Sequence, residues 1–213
     1  LVSNGGGSSG NSQGRWWKNP GNGFGSQPPT TGLFFPSVSM QHAVDMNGDG
    51  QVDFITGGPK FVYLNTPWSL GSVISTTAGD NGGTMIELGD LDADGILDLV
   101  NGDGSATGIT KWCHGTGTGN FTGCTSIAGG SVPVPYVNAV TLADVDQDGK
   151  TDIVTAARGG TSDNEVAWWR SSGTSSPTFT KYTIQSNASG GYGFYEVAAG
   201  DIDGDGRTDV VVL

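Results

Sequence analysis

Asp201-Ile202-Asp203-Gly204-Asp205-Gly206-Arg207-Thr208-Asp209 is written three more times in this 213-residue chain, with small changes. The earlier copies are Asp45-Met46-Asn47-Gly48-Asp49-Gly50-Gln51-Val52-Asp53, Asp90-Leu91-Asp92-Ala93-Asp94-Gly95-Ile96-Leu97-Asp98 and Asp144-Val145-Asp146-Gln147-Asp148-Gly149-Lys150-Thr151-Asp152. Oxygen-bearing side chains stand at loop positions 1, 3, 5 and 9, and Gly stands at position 6 in every copy. Alternate residues of a tight loop can aim several carboxylates at one centre, and a calcium ion takes six to eight oxygens. The Gly permits a positive φ where the chain turns around the ion. Position 7 (Gln51, Ile96, Lys150, Arg207) offers its backbone carbonyl. The reading is four calcium cages, holding about four Ca2+ ions.

Outward from the loops, the first aspartates fall at 45, 90, 144 and 201, so the intervals are 45, 54 and 57 residues. A recurring period of this length marks a propeller or a solenoid. Before each loop runs an alternating apolar stretch such as Val137–Ala143, and after it a β-branched run such as Ile153-Val154-Thr155. A third segment carries aromatics (Arg15–Lys18, Phe61–Leu64, Thr110–Cys113, Val166–Arg170), and a fourth alternates again, as in Phe179–Ile184. Four short strands per period, separated by Gly, Ser, Asn and Pro, describe a propeller blade. No window has a 3.6-residue apolar period, so helix should be nearly absent. An EF-hand opens with the same spacing but needs helical flanks and a Glu at position 12. Here position 12 is Thr56, Asn101, Thr155 and Val212, which excludes it.

These D-x-[DN]-x-D-G-x-x-D loops between strands resemble the FG-GAP or VCBS repeats of integrin α-subunit propellers, with similar repeats in fungal lectins and secreted bacterial proteins. The resemblance covers essentially the whole chain. It implies an all-β propeller whose loop joins the first and second strands of each blade, with calcium ligands at the positions quoted. Asn47 replaces a carboxylate in the first copy, so that site should be the weakest.

The repeats divide a single domain, 1–213, into approximately 1–35, 36–80, 81–131, 132–186 and 187–213. Three blades are whole and the end repeats are partial, since Leu1–Gly5 matches the residues just after a loop and Val210–Leu213 is a second strand. The partial blades could close a four-bladed ring, pair between chains as a swapped dimer or filament, or belong to a larger propeller of seven or eight blades. Self-association through the terminal half-blades is one expectation.

Net charge is −12, yet 15 of the 21 acidic residues lie in the four loops, so the acidity is mostly a ligand inventory. Nine scattered Lys and Arg argue against nucleic acid and anionic membranes, and no stretch is apolar enough for membrane insertion. Cys113 and Cys124 fall in neighbouring strands of one blade, where a disulfide is expected over a pair of buried thiols. Asn120-Phe121-Thr122 and Asn187-Ala188-Ser189 are glycosylation sequons. Calcium loops, a disulfide and acidity place the protein outside the cell, secreted or at the cell surface.

The aromatic column Trp16, Tyr63, Trp112 and Trp168 recurs once per blade and should pack between blades. Its neighbours point the other way. Trp17 and Trp169, each followed by a cation (Lys18, Arg170), and Trp68 in a Pro-containing loop are the candidate carbohydrate platforms. Enzyme signals are thin. Gly6-Gly7-Ser8-Ser9-Gly10 matches G-x-S-x-G without its strand-to-helix context. Glu87 and Glu196 could line a channel, and His42 reads as structural. The expected function is non-catalytic: an extracellular calcium-binding propeller for adhesion or carbohydrate recognition, its partner a glycan or an extracellular protein. A filament or matrix subunit is the alternative, and the propeller of a polysaccharide lyase a distant one.

Overall fold

The structure is a computed structural model that describes residues 39–57, 61–66, 69–75, 85–130, 134–159, 164–187 and 193–213. Among the described residues there are strands and no helix. The first sheet holds β1 (Ser39–Val44), β2 (Asp53–Gly57), β3 (Phe61–Thr66) and β4 (Ser69–Ser75) in that order, all antiparallel. The second holds β5 (Met85–Gly89), β6 (Asp98–Gly102), β7 (Lys111–Gly115) and β8 (Phe121–Ser126). The third holds β9 (Val137–Ala143), β10 (Asp152–Ala157), β11 (Asn164–Ser171) and β12 (Phe179–Asn187). A two-stranded sheet pairs β13 (Val197–Gly200) with β14 (Asp209–Val212). This is the β-propeller architecture that the period implied: blades of four neighbouring strands, each acidic loop joining the first strand to the second. The expected partial repeat at 1–35 lies outside the described residues.

Register explains how the blades stack. Gly89 pairs with Asp98, Ala143 with Asp152 and Gly200 with Asp209, so equivalent residues occupy equivalent places. Side chains alternate between sheet faces. Leu99 and Cys113 therefore join a core with Ile55, Val62 and Met46 of the first blade. Val100 and Trp112 join a second core with Ile153, Ala167 and Trp169 of the third. Both faces of the second strand are covered, which is why β6 and β10 are buried at every residue. Near-continuous apolar runs are what two-sided cover demands. First strands lie side by side, β1 against β5, β5 against β9 and β9 against β13.

Cys113 of β7 and Cys124 of β8 form the expected disulfide, with Cα atoms 4.1 Å apart. Trp112 is buried between blades, edge-on to Phe179 of the third blade at 6.5 Å, as its place in the aromatic column predicted.

Candidate metal centres

Each loop builds itself from its own carboxylates. In the second loop, Asp90 accepts the Asp94 N–H at 3.1 Å and the Gly95 N–H at 2.9 Å, while Asp94 accepts the Ile96 N–H at 2.8 Å. The same bonds recur around Asp45, Asp144 and Asp201. This wrapping requires left-handed backbone at two positions. Gly at position 6 has φ of 80°, 84°, 82° and 83° in the four loops. Position 4 turns as well, at Gly48, Ala93, Gln147 and Gly204, which the sequence reading missed; Gly at two of the four copies was the signal.

The last aspartate works differently. Asp98 is fully buried and accepts the Leu91 N–H at 3.0 Å on one oxygen and the Gly115 N–H of β7 at 2.7 Å on the other. Asp152 does the same with Val145 at 3.3 Å and Ser171 of β11 at 2.7 Å, and also takes the Trp168 indole N–H at 2.9 Å. Position 9 thus fastens the loop to the third strand of its own blade.

Carboxylate oxygens at positions 1, 3 and 9 converge in three loops. Asp90, Asp92 and Asp98 bring them within 4.8 Å of one another, as do Asp144, Asp146 and Asp152, and Asp201, Asp203 and Asp209. Asp92 and Asp94 also share such a group with His114, whose Nδ1 lies 2.9 Å from Asp92 Oδ2. Among the described residues no acidic triad forms in the first loop, where Asn47 Nδ2 turns to Asp49 at 3.2 Å. The donors are hard oxygens clustered on one centre, so the residues present fit a calcium ion better than a thiol- or imidazole-seeking metal.

Protonation preferences follow the surroundings. Burial pushes the carboxyls of Asp98 and Asp152 above the ordinary range, and the backbone donors just named offset only part of it. Asp45 lies below that range, its desolvation outweighed by the combined amides of Gly50, Gly48 and Asp49. The Lys150 ammonium, then the Arg170 guanidinium, hold Asp148 low as well. Glu87 of β5 is raised by burial, with His42 at 3.8 Å pulling the other way.

One candidate platform is corrected. Trp169 is only 4% exposed, packed in the core between the second and third blades, with its indole N–H donated to Thr155 Oγ1 at 3.0 Å. It offers no face to a sugar. Trp168 is the half-exposed neighbour, stacked on Tyr182 at 4.7 Å. Arg170 is not beside a platform but against the third loop, near Asp146 and Asp148. Trp17 and Trp68 lie outside the described residues. Asn120 precedes β8 and donates its amide to Thr118 Oγ1 at 3.1 Å, while Asn187 ends β12 opposite Asn164.

The third and fourth loops also touch. Thr208 donates to the Asp144 carbonyl at 2.8 Å and the Gln147 amide donates to the Gly206 carbonyl. Between them lies an open cleft of about 300 Å³ lined by Val145, Asp146, Gln147, Asp205, Arg207, Thr208 and Asp209.

No match was found among curated proteins. Among solved structures, one similar chain is an Agrocybe aegerita lectin described as specifically recognising non-reducing terminal N-acetylglucosamine. It is 19% identical, with a TM-score of 0.50, and the match covers 83% of this chain and 47% of the lectin. The likeness is one of fold, and this chain spans about half the lectin's length. The family model for the FG-GAP-like repeat matches residues 90–155 and 144–212. Those matches take in the second, third and fourth loops and more than half of the sequence, so the chain belongs to the FG-GAP-like repeat family.

Proposed function

We propose that this chain is a non-catalytic, calcium-stabilised propeller of an extracellular protein, and that its ligand is a glycan. The observation that carries the calcium reading is the carboxylate triad at positions 1, 3 and 9, built the same way in three loops. Asp90, Asp92 and Asp98 would hold one ion, Asp144, Asp146 and Asp152 a second, and Asp201, Asp203 and Asp209 a third. Asp94, Asp148, Asp205 and the position 7 carbonyls are further donors. The first loop, with Asp45, Asn47, Asp49, Asp53 and the Gln51 carbonyl, is the weakest fourth site. A bound ion would neutralise carboxylates that otherwise repel and would cross-link the first, second and third strands through position 9.

The cleft between the third and fourth loops supports the glycan reading. Beside Val145 it presents the exposed Arg207 guanidinium, while Gln147 and Thr208, which bond across to the neighbouring loop, hold its walls together, a mixture that can orient a hydroxyl-rich ligand. The disulfide supports an extracellular setting. Two described acids outside the loops are engaged structurally, which supports a binding role. Asp103 caps a turn through the Ser105 N–H at 2.9 Å, and Glu165 holds Lys181 and Thr183 at 2.5 and 2.6 Å.

The test has two arms. Calcium added to chelator-stripped protein should raise the melting temperature, because ligand bound to the folded state alone contributes about 2.7 kcal/mol per site at a hundredfold excess over Kd. An identical melt with and without calcium overturns the calcium reading. On a glycan array in calcium, N-acetylglucosamine-terminated structures are the first to score, and Arg207→Ala, at a 77% exposed side chain, should weaken capture while sparing the melt. A blank array overturns the glycan reading. A filament subunit is the second reading, favoured by exposed apolar side chains on two strands, Tyr182 and Ile184 of β12 and Val211 of β14. Sedimentation as a monomer at high concentration would dismiss it.

A further inference from the structure

Arg170 and His114 hold the same place behind two different loops. Ile153 pairs with Trp169 across β10 and β11, and Leu99 pairs with Cys113 across β6 and β7. The next residue along each third strand therefore reaches the acidic loop of its own blade. In the second blade it is an imidazole on Asp92, whereas in the third it is a guanidinium. Arg170 Nε lies 2.5 Å from Asp146 Oδ2, a charge contact off the N–H direction, and Nη2 donates to Asp148 Oδ2 at 3.0 Å. Lys150 Nζ adds a contact of 3.0 Å to the same Asp148 oxygen.

We propose that Arg170 is a built-in cation for the third loop, which makes this loop the one that needs a metal ion least and takes one last among the three acidic triads. The inference rests on the calcium reading above and assigns the loops an order within it.

A guanidinium is permanently charged and its fork bridges two carboxylates, as a small metal ion would. It occupies an oxygen of Asp146, a member of the triad, and repels an incoming dication at close range. Among the described residues no Lys or Arg pairs with the second loop, where the residue is His114. In the fourth loop, Arg207 pairs with Asp205 at 3.2 Å, and its side chain is 77% exposed. An exposed ion pair of that kind contributes little. Arg170 differs in being shared between two loop positions, with its Nε withdrawn from solvent.

The experiment is a calcium titration of the metal-stripped chain, followed by calorimetry and native mass spectrometry, with Asp90→Asn marking the second-loop ion. Arg170→Gln should convert one weak ion into a tight one, with at least about a tenfold gain, worth about 1.4 kcal/mol. Arg170→Lys, which keeps the charge, should gain much less. An R170Q titration identical to the parent, while Asp90→Asn loses an ion, overturns the proposal and leaves the calcium reading standing. No binding in any variant overturns both. If R170Q unfolds without metal, calcium should restore it, and failure to refold at saturating calcium counts against the proposal.

Discussion

The third and fourth acidic loops have the same internal architecture and different support. In each, the first aspartate accepts N–H groups from positions 5 and 6, and the fifth accepts that of position 7. The ninth accepts the N–H of position 2, Val145 in one loop and Ile202 in the other. Beyond that the loops part. Asp152 is 0% exposed and also receives Ser171 N–H and Trp168 Nε1 from β11. Asp209 is half-buried, and no third strand stands beside β14 among the described residues. Loop geometry is thus a local property of nine residues, whereas burial of the final carboxylate is conferred by the strand behind it.

The largest expected effect comes from removing those carboxylates. In metal-free buffer, Asp152→Ala strands three donors in a buried site, and each unpaired donor costs about 1–3 kcal/mol. Denaturant unfolding should show a loss of about 4 kcal/mol or more, against about 1 kcal/mol for Asp209→Ala. Equal losses would mean that the third strand contributes nothing to the loop. A smaller contrast lies in the apolar half of the support. Trp169→Ala opens a cavity in the core between blades and should cost about 3 kcal/mol. Trp168→Ala, at a half-exposed face and losing one indole bond to Asp152, should cost roughly half that. Reversal of that order would place the main packing face on the opposite side of β11.

Hairpins, blade composition and the disulfide were legible because their signals are short-range. A repeated Asp pattern with Gly at position 6 specifies its own turn, and alternation on either side specifies the flanking strands. The polarity of the third strand was not legible. Trp168-Trp169-Arg170 offers two aromatic faces in a row, and in a stacked blade both can be covered, so alternation alone does not say which is buried. Trp169 packs against the second blade, which arrives before it in the sequence, whereas cover for Trp168 must come from the blade on the other side. The cation after Trp169 looks like part of a sugar platform because its sequence neighbour is aromatic. Its spatial neighbours are Asp146 and Asp148, more than twenty residues earlier in the chain. Position 9 likewise reads in sequence as a ligand alone, since the amide of Ser171 or Gly115 that it holds lies a strand away.

The smallest expected effect is a pH response, and its sign separates the buried from the open carboxylates. Burial holds the folded pKa of Asp152 and Asp98 above the unfolded value, about 3.9. A folded chain that binds a proton more tightly than the unfolded chain gains stability as pH falls through the raised value, and the gain is complete below about 3.9. Asp148 carries the opposite sign. Lys150 and Arg170 depress its folded pKa, so its contribution is present above about 3.9 and is lost as pH falls through the lower folded value. The two windows lie on either side of the unfolded value. Metal-stripped protein should therefore gain a little stability on mild acidification and lose it on stronger acidification. Asp152→Asn combined with Asp98→Asn should remove the gain and leave the later loss. In saturating calcium the first limb should reverse, since protons and the ion compete for the same oxygens. A metal-free melt that declines steadily from neutral pH would show that the carboxylates behind the third strand are as open to water as those in front of it.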